Sequence, residues 1–411
     1  MKRKIIFILG IAFFGCTKVI ENNPIVGCMD EKAYNFNETA EIDGECEYAE
    51  KIFVTAQGFD QINILQSVEG VIQEEQNIIS VNFMENMMDT PHFIEIDEIN
   101  NLWFVTLINS GKVLMFDLNS NEMLDSIVVG DSPALMTHDA NQKKLYISRM
   151  MPMNSMMEMP ESESNKIQVL DYSNQEFVKI TDFEIPAPAP HGLDISDNGK
   201  FLFVASNTSD WVFKIDTEIG EIINSINLLD PSLEIPLEAI ITNYYKPIQL
   251  KYFDNNIFIS CSSGEWSNPS SNVPNDFIPG NIMALNADNL EIIDTLQFGS
   301  YSSPWHIAID QENYDFFVAL AGIGNTGSAG ITHFSFENNE FTHHWTATGT
   351  DFSLCHGVAI SKISNQVYVS GRGNGILHSI NKDDGSIIQS ITINSMMEGM
   401  MGAMLGGIAV H

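Results

Sequence analysis

Histidine is the residue whose spacing in this sequence first points to chemistry. Four segments begin with proline or cysteine and carry histidine near their start, namely PHFIEID from Pro91, PHGLDIS from Pro190, PWHIAID from Pro304 and CHGVAIS from Cys355. His92, His191 and His356 share one position, which Trp305 fills in the remaining segment with His306 beside it. Imidazoles at equivalent positions suit a metal ion or a polar ligand. The alternative, which the Pro-His pattern favours, is a turn in which each imidazole bonds a neighbouring carbonyl.

Methionine is concentrated in three short clusters, which hold 14 of the 20 methionines. The clusters are Met84, Met87 and Met88; Met150, Met151, Met153, Met156, Met157 and Met159; and Met396, Met397, Met400, Met401 and Met404. Thioethers favour Cu(I) and imidazole accepts either copper oxidation state. The middle cluster, with His92, His191, His306 and His356, therefore predicts a copper site. A hydrophobic docking surface is the competing interpretation and needs no metal.

Three further side chains are candidates for ligand binding at the same face. Trp305 shares the histidine position, while Arg149 and Arg372 end strands that follow it. The arginines either bind an anionic ligand or offset nearby carboxylates. Cys261 and Cys355 leave a disulfide, two buried thiols or soft metal ligands open. Five further histidines fall in or beside predicted strands and are expected to be structural, namely His138, His333, His343, His344 and His378.

The elements that position these residues form a repeat. Each copy has a turn ending in Pro, an alternating strand, a polar turn and a Val/Ile/Phe/Tyr-rich strand, followed by two more strands. That is the pattern of a four-stranded propeller blade. The copies open at Pro91, Pro133, Pro190, Pro247, Pro304, Cys355 and Leu405, in steps of 42, 57, 57, 57, 51 and 50 residues.

The seventh copy, from Leu405, supplies only a first strand, whereas residues 51–83 supply three strands without a first. Pairing these pieces would close the ring and leave no open sheet edge. The sequence therefore predicts an all-β, seven-bladed β-propeller over residues 51–411 that is closed by its N- and C-terminal strands. Six blades with frayed ends are the alternative.

Residues 17–50 are predicted to form a linker and a small module stapled by a Cys28–Cys46 disulfide. The segment between the cysteines is too short and polar to bury much core, and a disulfide of this span is worth roughly 3 kcal/mol. Gly27, Cys28, Asp30, Asn35 and Cys46 match a short repeat of bacterial surface proteins that the segment resembles. That resemblance implies a spacer or surface module.

The first 16 residues have the pattern of an export signal. Lys2, Arg3 and Lys4 precede an apolar run that ends at Gly15, directly before Cys16. This resembles the lipobox of bacterial lipoproteins and implies lipidation of Cys16. An ordinary signal peptide with an incidental cysteine is the alternative. The expected location is the outer membrane or cell surface, reached through a lipid anchor, with the periplasm as the alternative.

Composition and motifs exclude several function classes. A formal charge of −35 repels phosphate backbones, so nucleic acid is not an expected partner. The sequence has no CxxCH, GxSxG, HExxH or P-loop motif, which removes support for c-type haem and for common hydrolase and nucleotide chemistry.

The blades resemble the YVTN surface-propeller family, most clearly in LWFVT, SGKVLMFDL and VVGDSP between Pro91 and Pro133. The resemblance implies the propeller fold and leaves function open, since the family includes binding proteins and enzymes. We predict a non-enzymatic surface binding module that meets an unknown protein or small molecule at the channel mouth where first strands begin. The alternatives are a copper-binding propeller and a metal-dependent lactonase-like hydrolase. Apart from copper, the cofactor is unknown.

Overall fold

The computed structural model describes residues 24–85, 87–130, 132–149, 165–229, 245–263, 279–299, 301–323, 327–393 and 402–411. They divide into one unit that ends at Tyr48 and a second from Ala49 to His411. In these ranges we find no helix with the length and apolar character needed to cross a bilayer.

The first unit is held by a disulfide between Cys28 and Cys46, whose Cα atoms lie 4.9 Å apart. Two short strands, β1 (Val26–Gly27) and β2 (Ile42–Asp43), pair in parallel. The Tyr48 hydroxyl donates a 2.9 Å hydrogen bond to Asp30. The predicted disulfide is confirmed, and it holds a segment with little core of its own.

The second unit consists of seven four-stranded antiparallel sheets, so the predicted seven-bladed propeller is confirmed. The chain enters through three strands of blade 7, with a 3-10 turn (Gln57–Phe59) after the first: β3 (Ala49–Ala56), β4 (Gln61–Val68) and β5 (Val71–Ser80). Blade 1 follows with β6 (Pro91–Asp97), β7 (Leu102–Leu107), β8 (Lys112–Asp117) and β9 (Met123–Val128). Blade 2 contains β10 (Pro133–Asp139), β11 (Lys144–Arg149), β12 (Lys166–Asp171) and β13 (Val178–Glu184). Blade 3 contains β14 (Pro190–Ile195), β15 (Phe201–Ser206), β16 (Trp211–Asp216) and β17 (Glu221–Asn227).

Blades 4 to 6 repeat the same order. Blade 4 contains β18 (Pro247–Phe253), β19 (Asn256–Cys261), β20 (Asn281–Asn286) and β21 (Ile292–Gln297). Blade 5 contains β22 (Pro304–Asp310), β23 (Asp315–Leu320), β24 (Gly330–Glu337) and β25 (Glu340–Thr348). Blade 6 contains β26 (Cys355–Ile360), β27 (Gln366–Gly371), β28 (Ile376–Asn381) and β29 (Ile387–Thr392). The chain then adds β30 (Leu405–Val410).

Blade 7 is closed by strands from both ends of the propeller sequence, as predicted. β30 pairs antiparallel with β3, with Val410 opposite Ile52 and Ile408 opposite Val54. Lys51 and His411 extend the ladder through two backbone hydrogen bonds of 2.7 and 2.9 Å. Both strands thereby gain the partner that an open sheet edge would lack.

The core lies between neighbouring sheets, and burial falls from the axis outward. All six residues of β7 are buried, whereas the first six residues of the outer strand β17 alternate between exposed and half-buried. Trp103 stacks on Phe116 at 4.1 Å and contacts Phe53 of blade 7 at 5.0 Å, so aromatic side chains fill the wedge between blades.

A β-bulge near the start of each first strand decides which residues face the channel. In blade 1 the pair Pro91–Leu107 is followed by the pair Ile94–Val105, so His92 and Phe93 stand opposite one residue, Thr106. The other six blades show a register shift at the same place. Thr106 satisfies the bulge because its hydroxyl accepts from the Phe93 amide at 3.1 Å and donates to the Ala134 carbonyl at 2.9 Å. Such bulges bend a strand and redirect its side chains.

Candidate functional site

Three histidines meet on the axis of the propeller, and together with Trp305 we call them the imidazole layer. The His356 ring centroid lies 4.6 Å from that of His306 and 5.1 Å from that of His92, and the tilted Trp305 ring lies 4.5 Å from that of His356. The rings of His92 and His306 lie 6.5 Å apart although blades 1 and 5 are not neighbours, which places them across the channel. The bulges deliver these rings because they turn the second and third residues of the first strands inward.

Arg372 belongs to this layer through an intermediate glutamine. The Gln57 side-chain amide donates a 2.7 Å hydrogen bond to Nδ1 of His92, and its oxygen accepts from the Arg372 guanidinium. Four of the predicted side chains are therefore brought together with Arg372, namely His92, Trp305, His306 and His356.

Burial keeps the imidazole layer neutral. Desolvation, followed by the charges of neighbouring histidines, lowers the pKa of His306 to about 3 and holds the pKa values of His92 and His356 well below the ordinary value. Within the described ranges, neither ring nitrogen of His356 nor Nε2 of His306 has a hydrogen-bond partner. Buried polar atoms normally have one, so these nitrogens are open to a water, a ligand or a metal ion.

His191 is held differently, because its Nδ1 donates a 2.6 Å hydrogen bond to the Ile248 carbonyl. Burial lowers the pKa of His191 to about 4 despite this bond. This matches the carbonyl-bonded turn that the sequence offered as the alternative for the Pro-His segments.

Arg149 lies outside the imidazole layer. Its guanidinium donates a 2.6 Å hydrogen bond to the Val129 carbonyl and lies 3.9 Å from the Asp182 carboxylate, so it offsets a nearby charge. Cys261 and Cys355 are free and buried, and burial raises the pKa of the Cys355 thiol to about 12. Cys16 and the predicted methionine ligands lie outside the described residues, namely Met150, Met151, Met153, Met156, Met157 and Met159.

A second set of channel side chains lies further along the first strands. Glu95, Thr137, Asp194 and Lys251 each stand four residues after the proline that opens blades 1 to 4. Alanine occupies that position in blades 5 to 7, at Ala308, Ala359 and Ala409. We call the four polar residues, together with His138, the charged layer; it covers one half of the channel wall while small apolar residues cover the other.

Hydrogen bonds fix the acidic members of the charged layer. The Thr137 hydroxyl donates to Asp194 at 2.7 Å, and Asp194 also accepts from the Tyr252 amide at 2.9 Å. His138 Nδ1 lies 2.9 Å from Glu95 Oε1. These contacts hold two carboxylates at defined places in the wall.

Those carboxylates raise the pKa values of the basic members of the charged layer, Lys251 and His138. Burial lowers the pKa of Lys251, but the charges of Asp194 and Glu95 outweigh it and raise that pKa above its ordinary value. Burial likewise lowers the pKa of His138, and the hydrogen bond and charge of Glu95, with Asp97, raise it overall. Lys251 is therefore a cation at neutral pH.

A cavity of about 440 Å³ joins the two layers. Its lining includes Phe93 and His306 at the imidazole layer and Glu95, His138 and Lys251 in the charged layer. It reaches Glu98 and Lys362, which follow the ends of β6 and β26 and contact each other. This cavity therefore lies toward the face where first strands end, opposite the mouth at which the sequence led us to expect a ligand.

The charged layer is the part of the site that sequence reasoning missed. His138 was interpreted as structural, and the acids and lysine were not aligned with one another. The available signal was the shared offset of Glu95, Asp194 and Lys251 from the opening prolines.

No protein-family model and no curated protein matches the chain in sequence. Among solved structures it is similar to the periplasmic gluconolactonase PpgL of Pseudomonas aeruginosa, with a TM-score of 0.63, 13% identity and coverage of 88% of this chain and 99% of that one. It is also similar to a putative 6-phosphogluconolactonase of Bacteroides fragilis (TM-score 0.63, 11% identity, 88% and 98% coverage) and to Kuenenia stuttgartiensis hydrazine synthase (0.56, 14%, 74% and 80%). At these identities the likeness shows the fold, and the YVTN resemblance stays a prediction.

Proposed function

We propose that this propeller is a binding module that takes a small, hydroxyl-rich anion in its central channel. The observation that carries the proposal is the charged layer beside a cavity of about 440 Å³. Glu95 lines the cavity and can accept hydrogen bonds from ligand hydroxyls, while the Lys251 ammonium, which also lines it, can pair with a ligand carboxylate or phosphate.

Sugar acids are the first ligands to test because they carry both kinds of group. Two structural neighbours, a gluconolactonase and a putative 6-phosphogluconolactonase, support the same choice. Gluconate and 6-phosphogluconate should bind in calorimetric titrations. K251M should weaken binding at least tenfold, because an uncompensated ligand charge would then be buried beside two carboxylates.

The matched control is K166M, since Lys166 is a half-buried lysine paired with Glu184 outside the channel. It should bind sugar acids like the native protein. Equal affinity of K251M and K166M for every ligand that binds would contradict the proposed site.

The charged layer favours binding over metal-dependent hydrolysis. Lys251 already supplies positive charge near Asp194 and Glu95, where a divalent ion would otherwise balance the carboxylates. The lactonase-like alternative requires turnover of gluconolactone that depends on added metal and is lost in D194N. A protein that binds gluconate but does not turn over gluconolactone would support the binding module.

Copper binding is a second candidate because of the unbonded nitrogens of His306 and His356 in the imidazole layer. Neutral imidazoles are the form that ligates metal. The rings would have to rotate to share an ion, since in the described ranges their nitrogens do not form a three-ligand group within 4.8 Å. Copper retained by the native protein, and lost both in H356F and in a variant with leucine at the Met150 to Met159 methionines, would support it.

We also propose export and lipidation at Cys16, on the basis of Lys2, Arg3 and the apolar run before that cysteine. Two variants test it: C16S should fractionate as a soluble exported protein, whereas C261S, which keeps Cys16, should remain membrane-bound like the native chain. Membrane association of C16S would contradict lipidation at this residue.

A further inference from the structure

Blade 5 carries a group of metal-ligand side chains on its outer half, away from the channel. Asp315 begins the second strand, β23, while His333 lies on the third, β24, and His344 on the fourth, β25. One oxygen of Asp315 and one nitrogen of each histidine lie within 4.8 Å of one another, the only such three-ligand group in the described part of the chain.

A β-bulge in the outer strand brings His344 into this group. His333 pairs with Trp345 and the next residue, Phe334, pairs with His343, so His344 is the inserted residue. Both His344 and Trp345 contact the His333 ring, with centroids 4.6 and 5.3 Å away. A bulge can redirect a side chain in this way.

The same bulge occurs in the described outer strands of other blades, but with a different residue. The inserted residue is aliphatic in blades 1, 2, 3, 4 and 6, namely Leu124, Ile180, Ile223, Ile293 and Ile388. Only in blade 5, among these six, is it a potential metal ligand. The repeat therefore has no structural need for histidine at this position.

His333 supplies an independent sign of a missing partner. It is 8% exposed, and its Nδ1 has no hydrogen-bond partner within the described residues. Its Nε2 lies 3.0 Å from Asp315 Oδ1, close to the spacing of about 3.3 Å between two ligand atoms on one tetrahedral ion. The adjacent lysine, Lys382, is engaged by Asp310 at 2.8 Å, which compensates its charge.

We propose that Asp315, His333 and His344 bind a divalent metal ion of borderline softness, with Zn²⁺ as the probe. Two imidazoles and one carboxylate are a ligand set that zinc accepts, with water in the remaining position. An adjoining surface cavity of about 590 Å³, lined by all three residues and by Asn313, leaves room for that water or for a ligand carried by the metal.

The test is calorimetric titration of the chelator-treated full-length protein with Zn²⁺, in excess Mg²⁺ to occupy the acidic surface. D315N and H344A should each weaken Zn²⁺ binding at least tenfold. Both positions reach the surface, so these variants should keep the circular dichroism spectrum and melting temperature of the metal-free native protein.

H343A is the matched control, because His343 is exposed, adjacent in sequence and bonded to Thr346 instead. It should bind Zn²⁺ within twofold of the native affinity, and so should H356F, which alters only the imidazole layer. Native affinity in both D315N and H344A, or no zinc binding above that Mg²⁺ background, would overturn the proposal.

Discussion

The imidazole layer and the charged layer share one channel, yet they accommodate buried polar groups in opposite ways. Around His356, rings pack against one another and burial depresses the pKa values, so the groups stay neutral. Around Asp194, hydroxyl and amide donors hold carboxylates, and the lysine opposite stays charged. Distance along a first strand therefore decides whether a channel residue behaves as core or as a recognition group. We expect the first layer to govern stability and the second to govern binding.

The largest effect is expected from a deletion that opens the ring and so disrupts both layers at once. Deleting residues 405–411 takes away β30 and leaves β3 as an open edge, so the propeller should lose its cooperative thermal transition. Circular dichroism melting measures this. Deleting His411 alone removes only the terminal pair with Lys51 and should preserve the transition. A native-like melt of the longer deletion would show that closure of blade 7 is dispensable.

Removing one ring from the imidazole layer should cost less but still act on stability. His356 is 1% exposed and packs against three rings, so H356A should lower the free energy of unfolding by about 2–4 kcal/mol through the cavity it leaves. Denaturant titration measures the loss. Sugar-acid affinity should stay within threefold of native, and a tenfold loss with unchanged stability would reverse the roles we assign to the layers.

Mild acid should separate the layers by the sign of their response. The folded-state pKa of His306 is depressed to about 3, so its contribution is present above the unfolded value near 6.5 and is lost as pH falls. Between pH 7.5 and 5 that loss is about 2 kcal/mol. The free energy of unfolding of H306F should therefore fall by about 2 kcal/mol less than that of the native protein over this range. The fall for H343Q should equal that of the native protein.

His138 should respond in the other direction. Its folded-state pKa is raised, so its contribution is fully present below the unfolded value and is lost as pH rises through the folded value. The native protein and H138Q should accordingly differ less in free energy of unfolding as the pH increases from 5 to 8. If this difference in free energy grew over the same range, the pairing of Glu95 with His138 would not be the cause of the pH dependence.

The smallest effect should come from one hydrogen bond in the charged layer. T137V removes the donor to Asp194 but keeps the side-chain shape, so it should cost about 1 kcal/mol of stability. Binding of gluconate should weaken severalfold because Asp194 loses a positioning contact. T181V, in an exposed outer strand, should change neither quantity.

The architecture could be predicted because it is written in a repeated pattern. Opening prolines and β-rich strands mark each blade, and the incomplete copies at Lys51 and Leu405 imply the closure that is observed. The disulfide followed from two cysteines around a polar segment too short to fold unaided.

The site was harder to predict because one inserted residue changes which side chains face inward. Simple alternation from His92 would direct Ile94 and Ile96 to the channel side, but beyond the bulge both isoleucines pack into the core between blades 7 and 1, and Glu95 faces His138 of blade 2. The same physical cause hid His344, which a regular strand would direct away from His333. Register at a bulge depends on pairing between strands, which periodicity in one strand does not report.

Because the seventh blade is built from both ends of the propeller sequence, its first-made strands wait for their partner during synthesis. β3 is synthesised about 350 residues before its partner β30. At ordinary rates of synthesis the interval is tens of seconds, during which β3 has an unpaired edge. A chain of this design would depend on a holding factor, or on rapid completion of synthesis, to keep that edge from pairing with another nascent copy.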